Sequence, residues 1–141
     1  MTTRAELRAL AEAALVTETG AASVVRQCPH CGALDHGRPI LVGSPLQVSI
    51  AYAGDLAVIA WSDGPIGVDL ECSDATAPDG LDLDEWARLE ALSKAAGTGL
   101  QDWPATQPPA RSVQTLDLPG GYRGALAGEP LGWRVIGPLP A

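Results

Sequence analysis

Apolar and polar residues follow patterns along the first half of the chain that predict one helix and several strands. Residues 5–15 repeat apolar side chains at three- and four-residue spacing, as one face of a helix does. Thr3 precedes this segment as a candidate N-cap, and Glu6 three residues later is its candidate partner. Alternation or continuous apolar character predicts strands at residues 22–26, 46–51 and 56–61.

The next stretch, residues 65–71, predicts a strand with two carboxylates on one face. Asp69 and Glu71 are two residues apart and share a face, while Val68 and Leu70 point into a core. Short turns on its N-terminal side predict an antiparallel meander with the two preceding strands. Two carboxylates this close repel each other unless a cation lies between them, and a hard divalent cation is the common solution. The alternative interpretation is an edge strand with two hydrated acids.

The second half predicts one helix and three further strands. Asp82 or Asp84 is placed to cap a helix through residues 86–96, which ends at glycines 97 and 99. Three prolines predict an irregular loop at residues 102–109. The remaining strands are predicted at residues 112–118, 124–127 and 133–136.

The helix predicted at residues 86–96 has two faces that matter for function: one expected to be buried and one that bears charges. Trp86, Leu89 and Ser93 share one face, which we expect to pack into the core. Glu90 and Lys94, four residues apart, share another. They are either a surface ion pair or part of a site with the carboxylate strand.

Length and charge restrict the function further. A chain of 141 residues predicts one domain. The net charge is −8, and residues 51–85 hold nine acids and no base. Binding of nucleic acid is therefore disfavoured, because phosphate contacts need clustered Lys and Arg. The longest apolar run is too short to cross a bilayer and the N-terminal segment is charged, so we expect no membrane association and a cytoplasmic location.

The chain contains three cysteines, and two of them form a Cys-x-x-Cys pair. Cys28-Pro29-His30-Cys31, followed by His36, suggests zinc binding, but the chain has no second Cys or His pair. A structural zinc ion needs four ligands, and Cys72 is the other candidate. The alternative is a turn whose thiols pack or stay reactive.

Three motifs stand in a fixed order: Gly37-Arg38-Pro39, then Gly-Val-Asp-Leu-Glu at residues 67–71, then Trp-x-x-x-Glu-Ala-x-x-Lys-x-x-Gly-x-Gly at residues 86–99. This order resembles the 4′-phosphopantetheinyl transferases of the surfactin-synthetase-activating type, over residues 4–127. The resemblance implies an α+β fold: a pseudo-dimer of two small sheet-and-helix halves, about 1–64 and 65–141 in one domain, shortened at the N-terminus relative to that family.

The resemblance also implies an activity. Such enzymes transfer 4′-phosphopantetheine from coenzyme A to a serine of an acyl or peptidyl carrier protein and release adenosine 3′,5′-bisphosphate, with Mg²⁺ as cofactor. By motif position, the metal ligands are Asp69, Glu71 and Glu90. Glu90 is also the expected base for the carrier serine, and Lys94 the residue that neutralises the pyrophosphate and assists the leaving group.

The resemblance places the coenzyme A contacts at Arg38, Pro39, Tyr52 and Lys94. The family usually has Ser-His where this chain has Ala51-Tyr52, and a tyrosine brings a hydrogen-bond donor but no charge to the nucleotide 3′-phosphate. Leu89 also stands where the family usually has a Lys before the helical Glu.

The sequence is also compatible with two other functions. One is a non-catalytic relative that binds coenzyme A or a carrier protein without transferring anything. The other is a zinc-stabilised interaction module around Cys28, Cys31 and His36. A homo-oligomer, in which a second subunit covers an exposed sheet edge, is compatible with any of these functions.

Overall fold

The computed structural model describes residues 2–28, 31–33, 37–97 and 112–138. This part of the chain has an α+β fold with two α-helices and eight strands, which confirms the predicted class. Neither helix in it is long and apolar enough to span a bilayer. The helices are α1 (Arg4–Thr19) and α2 (Leu83–Ala96), and the strands are β1 (Ser23–Gln27), β2 (Arg38–Val42), β3 (Gln47–Ala53), β4 (Leu56–Ser62), β5 (Ile66–Cys72), β6 (Val113–Thr115), β7 (Tyr122–Gly128) and β8 (Gly132–Ile136).

The described strands form three small antiparallel sheets, in the orders β1-β2, β3-β4-β8 and β5-β7-β6. The predicted meander is therefore wrong at its last step. β3 and β4 pair as expected, but β5 pairs with β7, and the second neighbour of β4 is β8. A short turn permits a hairpin without requiring one. Here the Ser62 hydroxyl donates to Glu129 O at 2.5 Å and accepts from Gly64 N, so the turn leads the chain into a different sheet.

Helix α1 covers one face of the β3-β4-β8 sheet. Its cap is the predicted one, since the Thr3 hydroxyl accepts from Glu6 N at 3.1 Å. The helix ends at Gly20, which has a left-handed conformation with φ 74°, so it extends four residues beyond the predicted end. Its buried side chains pack with the sheet in one apolar cluster: Leu7, Ala11 and Leu15 with Ile50, Ile59 and Trp61.

Strand β4 is buried along its whole length, as its continuous apolar run predicts. Ile59 and Trp61 belong to the cluster under α1, whereas Val58 and Ala60 belong to a second cluster on the opposite face. That second cluster includes Val68 of β5. The two sheets are therefore packed face to face, with β4 at the centre of the core.

A buried hydrogen bond joins the two packed sheets directly. The backbone N–H of Val68 on β5 donates to the Ser49 hydroxyl on β3 at 3.0 Å. Val68 and Leu70 face the core, as the alternation predicts, so Asp69 and Glu71 lie on the opposite face of β5.

Candidate functional site

Helix α2 lies directly on the face of β5 that bears Asp69 and Glu71. A Cβ added at Gly67 would overlap the carbonyl oxygen of Ala91 and lie 2.5 Å from Ala95 N, so helix and strand backbones are in contact there. Small side chains make this approach possible. The apolar cluster between α2 and β7 is built mainly from alanines, at positions 87, 91, 95, 125 and 127.

The predicted core face of α2 is therefore wrong in part. Trp86 and Leu89 are only partly buried, whereas Ser93 is buried as expected. The alanine face turns inward instead, because only side chains of that size allow the helix to approach Gly67. Glu90 and Lys94 flank this face and lie near the carboxylate strand.

Asp69 is the most unusual side chain of the site. The residue is only 6% exposed, and its Oδ2 is buried without a hydrogen-bond partner in the described residues. Burial raises the pKa of Asp69 to about 7, and the carboxylates of Glu71 and Glu90 raise it as well, while Lys94 acts in the opposite direction. A solitary buried acid would behave similarly, but the influence of Glu71 and Glu90 shows that three carboxylates lie close enough to affect one another.

Glu90 behaves in the same way. Burial raises the pKa of its carboxyl group, and the charge of Glu71 raises it further against the opposing effect of Lys94. Asp69, Glu71, Glu90 and Lys94 thus form one electrostatic cluster, which we call the carboxylate cluster. The sequence predicts these same four residues as the reacting part of a site.

Lys94 supplies the positive charge of the carboxylate cluster. Its Nζ lies 3.9 Å from Asp69 Oδ1, and its side chain is 35% exposed. Burial lowers the pKa of Lys94, and the neighbouring carboxylates act against that change. Lys94 is also in the last turn of α2, whose end is closed by Gly97 N donating to Lys94 O at 3.0 Å. The partial negative charge of a helix C-terminus favours a cation at that position.

The donor atoms of the carboxylate cluster suit a hard cation. Three carboxylates offer only oxygen ligands, and the buried Asp69 Oδ2 has a coordination site that no donor of the described residues occupies. In this part of the chain no three His, Cys, Asp or Glu side chains are already arranged as metal ligands. The long side chains of Glu71 and Glu90 would have to rotate toward Asp69 to complete a set, which glutamates do at low cost.

Arg38 and Pro39 line a cleft of about 590 Å³ beside the β1-β2 sheet. The Arg38 guanidinium reaches from this cleft to the end of α2, where its Nη1 would lie 2.9 Å from a Cβ added at Gly97. Arg38 is therefore placed between the cleft and the helix turn that bears Lys94. The cleft wall also contains Gln27, Cys28 and Gln47.

Tyr52 lies apart from that cleft, between two arginines. The guanidinium carbon of Arg4 is 4.7 Å from the centre of the Tyr52 ring, and Arg26 Nη2 donates to the Tyr52 hydroxyl at 3.2 Å. Arg26 Nε is buried without a hydrogen-bond partner in the described residues, and Arg26 Nη2 is 4.0 Å from a Glu12 carboxylate oxygen. Tyr52 itself is neutral, but two positive charges adjoin it.

Arg4 and Arg26 were not predicted as site residues. They lie on α1 and β1, far from the acidic motifs along the chain, and no motif links them to Tyr52. Only the packing of α1 and β1 beside β3 brings the three side chains together. The amphipathic pattern of α1 places Arg4 outside the apolar face but does not identify the residue that it contacts.

Two backbone hydrogen bonds join Cys28 to residues 32 and 33 at the start of the β1–β2 connection. Cys28 is buried and Cys31 is exposed. Gly32 N donates to Cys28 O and Cys28 N donates to Ala33 O, both at 2.9 Å. His36, the third candidate zinc ligand, lies outside the described residues.

No protein-family model matches this chain. Comparison with curated proteins also finds no significant relative.

Proposed function

We propose that this chain is a Mg²⁺-dependent 4′-phosphopantetheinyl transferase that modifies a serine of an acyl or peptidyl carrier protein, with coenzyme A as donor. One observation supports this proposal most. Asp69 is buried under a helix that brings Glu90 and Lys94 to it, and one of its oxygens has no hydrogen-bond partner among the described residues. A solvated edge strand, the main alternative for this stretch, gives no reason to bury a carboxylate in that way. The pseudo-dimer architecture and the cytoplasmic location belong to the same proposal.

The reaction cleaves a pyrophosphate, so negative charge on the transferred phosphoryl group must be neutralised. Asp69, Glu71 and Glu90 would hold Mg²⁺, which when bound supplies that neutralisation as a Lewis acid. The acids otherwise repel an anionic donor. Lys94 adds a positive charge of the chain's own beside Asp69.

Glu90 is suited to accept the proton of the carrier serine. Burial raises the pKa of its carboxyl group, which makes Glu90 a stronger base than an ordinary glutamate. As the proton moves to Glu90, the serine oxygen bonds to the phosphorus that bears pantetheine. The bond from that phosphorus to the bridging oxygen of the pyrophosphate breaks, and adenosine 3′,5′-bisphosphate leaves. Lys94 offers its ammonium to the phosphate charge that develops on the leaving group.

The two basic regions are suited to the anionic end of coenzyme A. Arg38 stands where the cleft meets the end of α2 and can bind a nucleotide phosphate there. Tyr52, with Arg4 and Arg26 beside it, can bind a second phosphate, which in coenzyme A is the 3′-phosphate. Arg4 and Arg26 thus supply the positive charge that Tyr52 itself does not bring to this phosphate.

The test is transfer to a carrier. An apo carrier protein is incubated with this chain, coenzyme A and Mg²⁺, and intact-protein mass spectrometry records the carrier mass. We expect the phosphopantetheine increment on the carrier serine, and no increment without Mg²⁺ or with the serine replaced by alanine. Carriers of fatty-acid, polyketide and nonribosomal-peptide synthesis are assayed in parallel, and an unmodified carrier in every case contradicts the proposal.

The second candidate is a relative that binds coenzyme A or a carrier protein without transfer. It is supported by the contact between Lys94 and Asp69, in which a protein cation already occupies one side of the buried carboxylate. Isothermal titration separates the two candidates. Binding of coenzyme A together with an unmodified carrier at every tested Mg²⁺ concentration supports the binding protein.

A further inference from the structure

The sheet face that lies under α2 continues past the carboxylate cluster. Ala125 of β7 is opposite Asp69 and packs under the helix. Arg123 comes two residues before Ala125, so it shares this face, and it lies directly opposite Glu71. Thr115 of β6 is opposite Ala125 and is exposed. The helix therefore leaves the face open at the end where Glu71 and Arg123 lie.

A cleft of about 330 Å³ occupies this open end. Its lining includes hydroxyl groups, carboxylates and one guanidinium, from Ser73, Thr115, Asp84, Asp117 and Arg123. Arg123 is the only base among the described residues that line the cleft. We call this space the Arg123 cleft.

The charge of Arg123 is accessible to a partner. Its Nη1 donates to Asp84 Oδ2 at 2.9 Å, but the Arg123 side chain is 49% exposed. An exposed ion pair of this kind contributes little to stability, so an incoming carboxylate can replace Asp84 at low cost. Residues 51–85 hold nine acids and no base, so this half of the chain repels an acidic partner. Arg123 provides the complementary charge at the open end of the face.

The proposed reaction indicates from which side the acceptor arrives. In-line displacement places the attacking and leaving oxygens on opposite sides of the phosphorus. Arg38 and Lys94 lie at the C-terminal end of α2, where the nucleotide leaves. Glu90 lies about 6 Å along the helix axis from Lys94, toward the N-terminus, at a rise of about 1.5 Å per residue. The serine therefore approaches from the side of Asp84, which is about 9 Å beyond Glu90, or roughly three extended residues.

We propose that the Arg123 cleft docks the segment of the acceptor protein that carries the reactive serine, and that Arg123 binds a carboxylate of that segment. This inference rests on the proposed function. The guanidinium exchanges Asp84 for the carboxylate of the acceptor, in a charge-assisted contact that fixes the direction of the segment. Arg123 is thus a specificity-determining residue for the acceptor and makes no contact with coenzyme A.

Steady-state kinetics separate a docking residue from a structural ion pair. With coenzyme A and Mg²⁺ saturating, Arg123→Gln should raise the KM for the carrier by about tenfold or more, with kcat unchanged. Asp84→Asn breaks the same ion pair but should lower the KM for the carrier, because it removes the competing carboxylate. Arg134→Gln, which breaks a similarly exposed pair with Glu18 on another sheet, is the matched control. A KM that is unchanged in Arg123→Gln, or raised equally in Asp84→Asn, overturns the proposal.

Direct binding distinguishes failure of docking from failure of the transferase proposal. Fluorescence anisotropy follows labelled apo carriers of the three synthesis classes titrated with this chain, without coenzyme A or Mg²⁺, at low and high NaCl. We expect wild-type binding that weakens with salt, and binding by Arg123→Gln that is about tenfold or more weaker and less sensitive to salt. Binding through Arg123 without modification contradicts only the transferase. Modification of a carrier that Arg123→Gln binds as tightly as the wild type contradicts only the docking site.

A second copy of this chain is the other occupant to exclude. Analytical ultracentrifugation compares the wild type and Arg123→Gln over a range of protein concentrations. We expect both proteins to sediment alike, since the cleft is open to the carrier. A wild-type dimer that Arg123→Gln dissociates overturns the proposal, as does wild-type protein that binds none of the carriers.

Discussion

The ammonium of Lys94 lies 3.9 Å from the carboxylate of Asp69, across the contact between α2 and β5. Burial acts in opposite senses on the two groups: it raises the pKa of Asp69 to about 7 and lowers that of Lys94. Each partner reduces the shift of the other, because their charges attract. The pair remains costly to bury, and groups with pKa values shifted in this way are common at functional sites.

Asp69→Asn should stabilise the protein in a pH-dependent way when divalent cations are chelated. The folded pKa of about 7 lies above the unfolded value of 3.8. Between those values the folded protein keeps a proton that the unfolded chain has lost, so wild-type stability decreases as pH rises through 7. Asparagine does not titrate, so the variant does not lose stability in this way as pH rises.

We therefore compare the free energies of unfolding of Asp69→Asn and the wild type. The difference in favour of the variant should rise by about 2 to 3 kcal/mol between pH 5 and pH 8, at roughly 1.4 kcal/mol per pKa unit. Urea unfolding at both pH values measures the difference. Asp63→Asn, in an exposed turn, is the control and should show no such trend. Equal gains at both pH values would mean that the Asp69 carboxyl group is not shifted.

Glu90→Gln should reduce the transfer rate by a factor of about one hundred or more, the range for loss of a general base. The free energy of unfolding should change by less than about 1 kcal/mol, since Glu90 is only partly buried. Glu85→Gln, on the exposed first turn of the same helix, is the matched control. Transfer that is unaffected by Glu90→Gln would leave the residue as a surface partner of Lys94.

Gly67→Ala should displace α2 from β5. The added methyl group would overlap Ala91 O and approach Ala95 N, and both are backbone atoms that cannot rotate away. Overpacking of this kind costs about 1–3 kcal/mol. Because α2 bears Glu90 and Lys94, transfer should decrease as well. Gly64→Ala is the control, since nothing lies within 4 Å of its added Cβ. Thermal unfolding and the carrier assay measure both effects, and equal behaviour of the two variants would argue against the close contact.

Arg26→Gln should weaken discrimination between coenzyme A and its 3′-dephospho form. Tyr52 alone predicts little preference, but the guanidinium groups of Arg4 and Arg26 add charge-assisted contacts. We expect the wild type to prefer coenzyme A by more than about a hundredfold in kcat/KM, or roughly 2.7 kcal/mol. Arg26→Gln should reduce this preference by about tenfold or more. Arg134→Gln, which removes an exposed partner of Glu18, is the control. An unchanged ratio in Arg26→Gln would exclude that phosphate contact.

Local periodicity is sufficient to predict most elements and to pair the members of the carboxylate cluster two by two, but only the motif resemblance joins the two pairs in one site. Asp69 and Glu71 follow from a two-residue repeat, and Glu90 and Lys94 from a helical one. Tertiary packing decides the rest. The strand partner of β5 is β7, 50 to 62 residues away along the chain, and no turn signal encodes that choice.

The inward face of α2 was mispredicted for a related reason. Hydrophobicity favours Trp86 and Leu89 over alanine, but the available space at Gly67 selects alanine. Arg26 has no sequence signal at all, because its role depends on Tyr52, 26 residues away on another sheet.

The pairing of β8 with β4 has a consequence for fragment complementation. β8 comes from the end of the chain, yet it forms a ladder with β4 from Ala57–Ile136 to Trp61–Gly132. A chain cleaved between Asp63 and Gly64 should therefore stay together as a non-covalent heterodimer, in which each fragment supplies a strand that the other needs. Expressed alone, residues 1–63 would expose one side of β4 as an unpaired edge and should aggregate. Co-expression should restore a soluble complex, which makes this turn a suitable place for a split reporter.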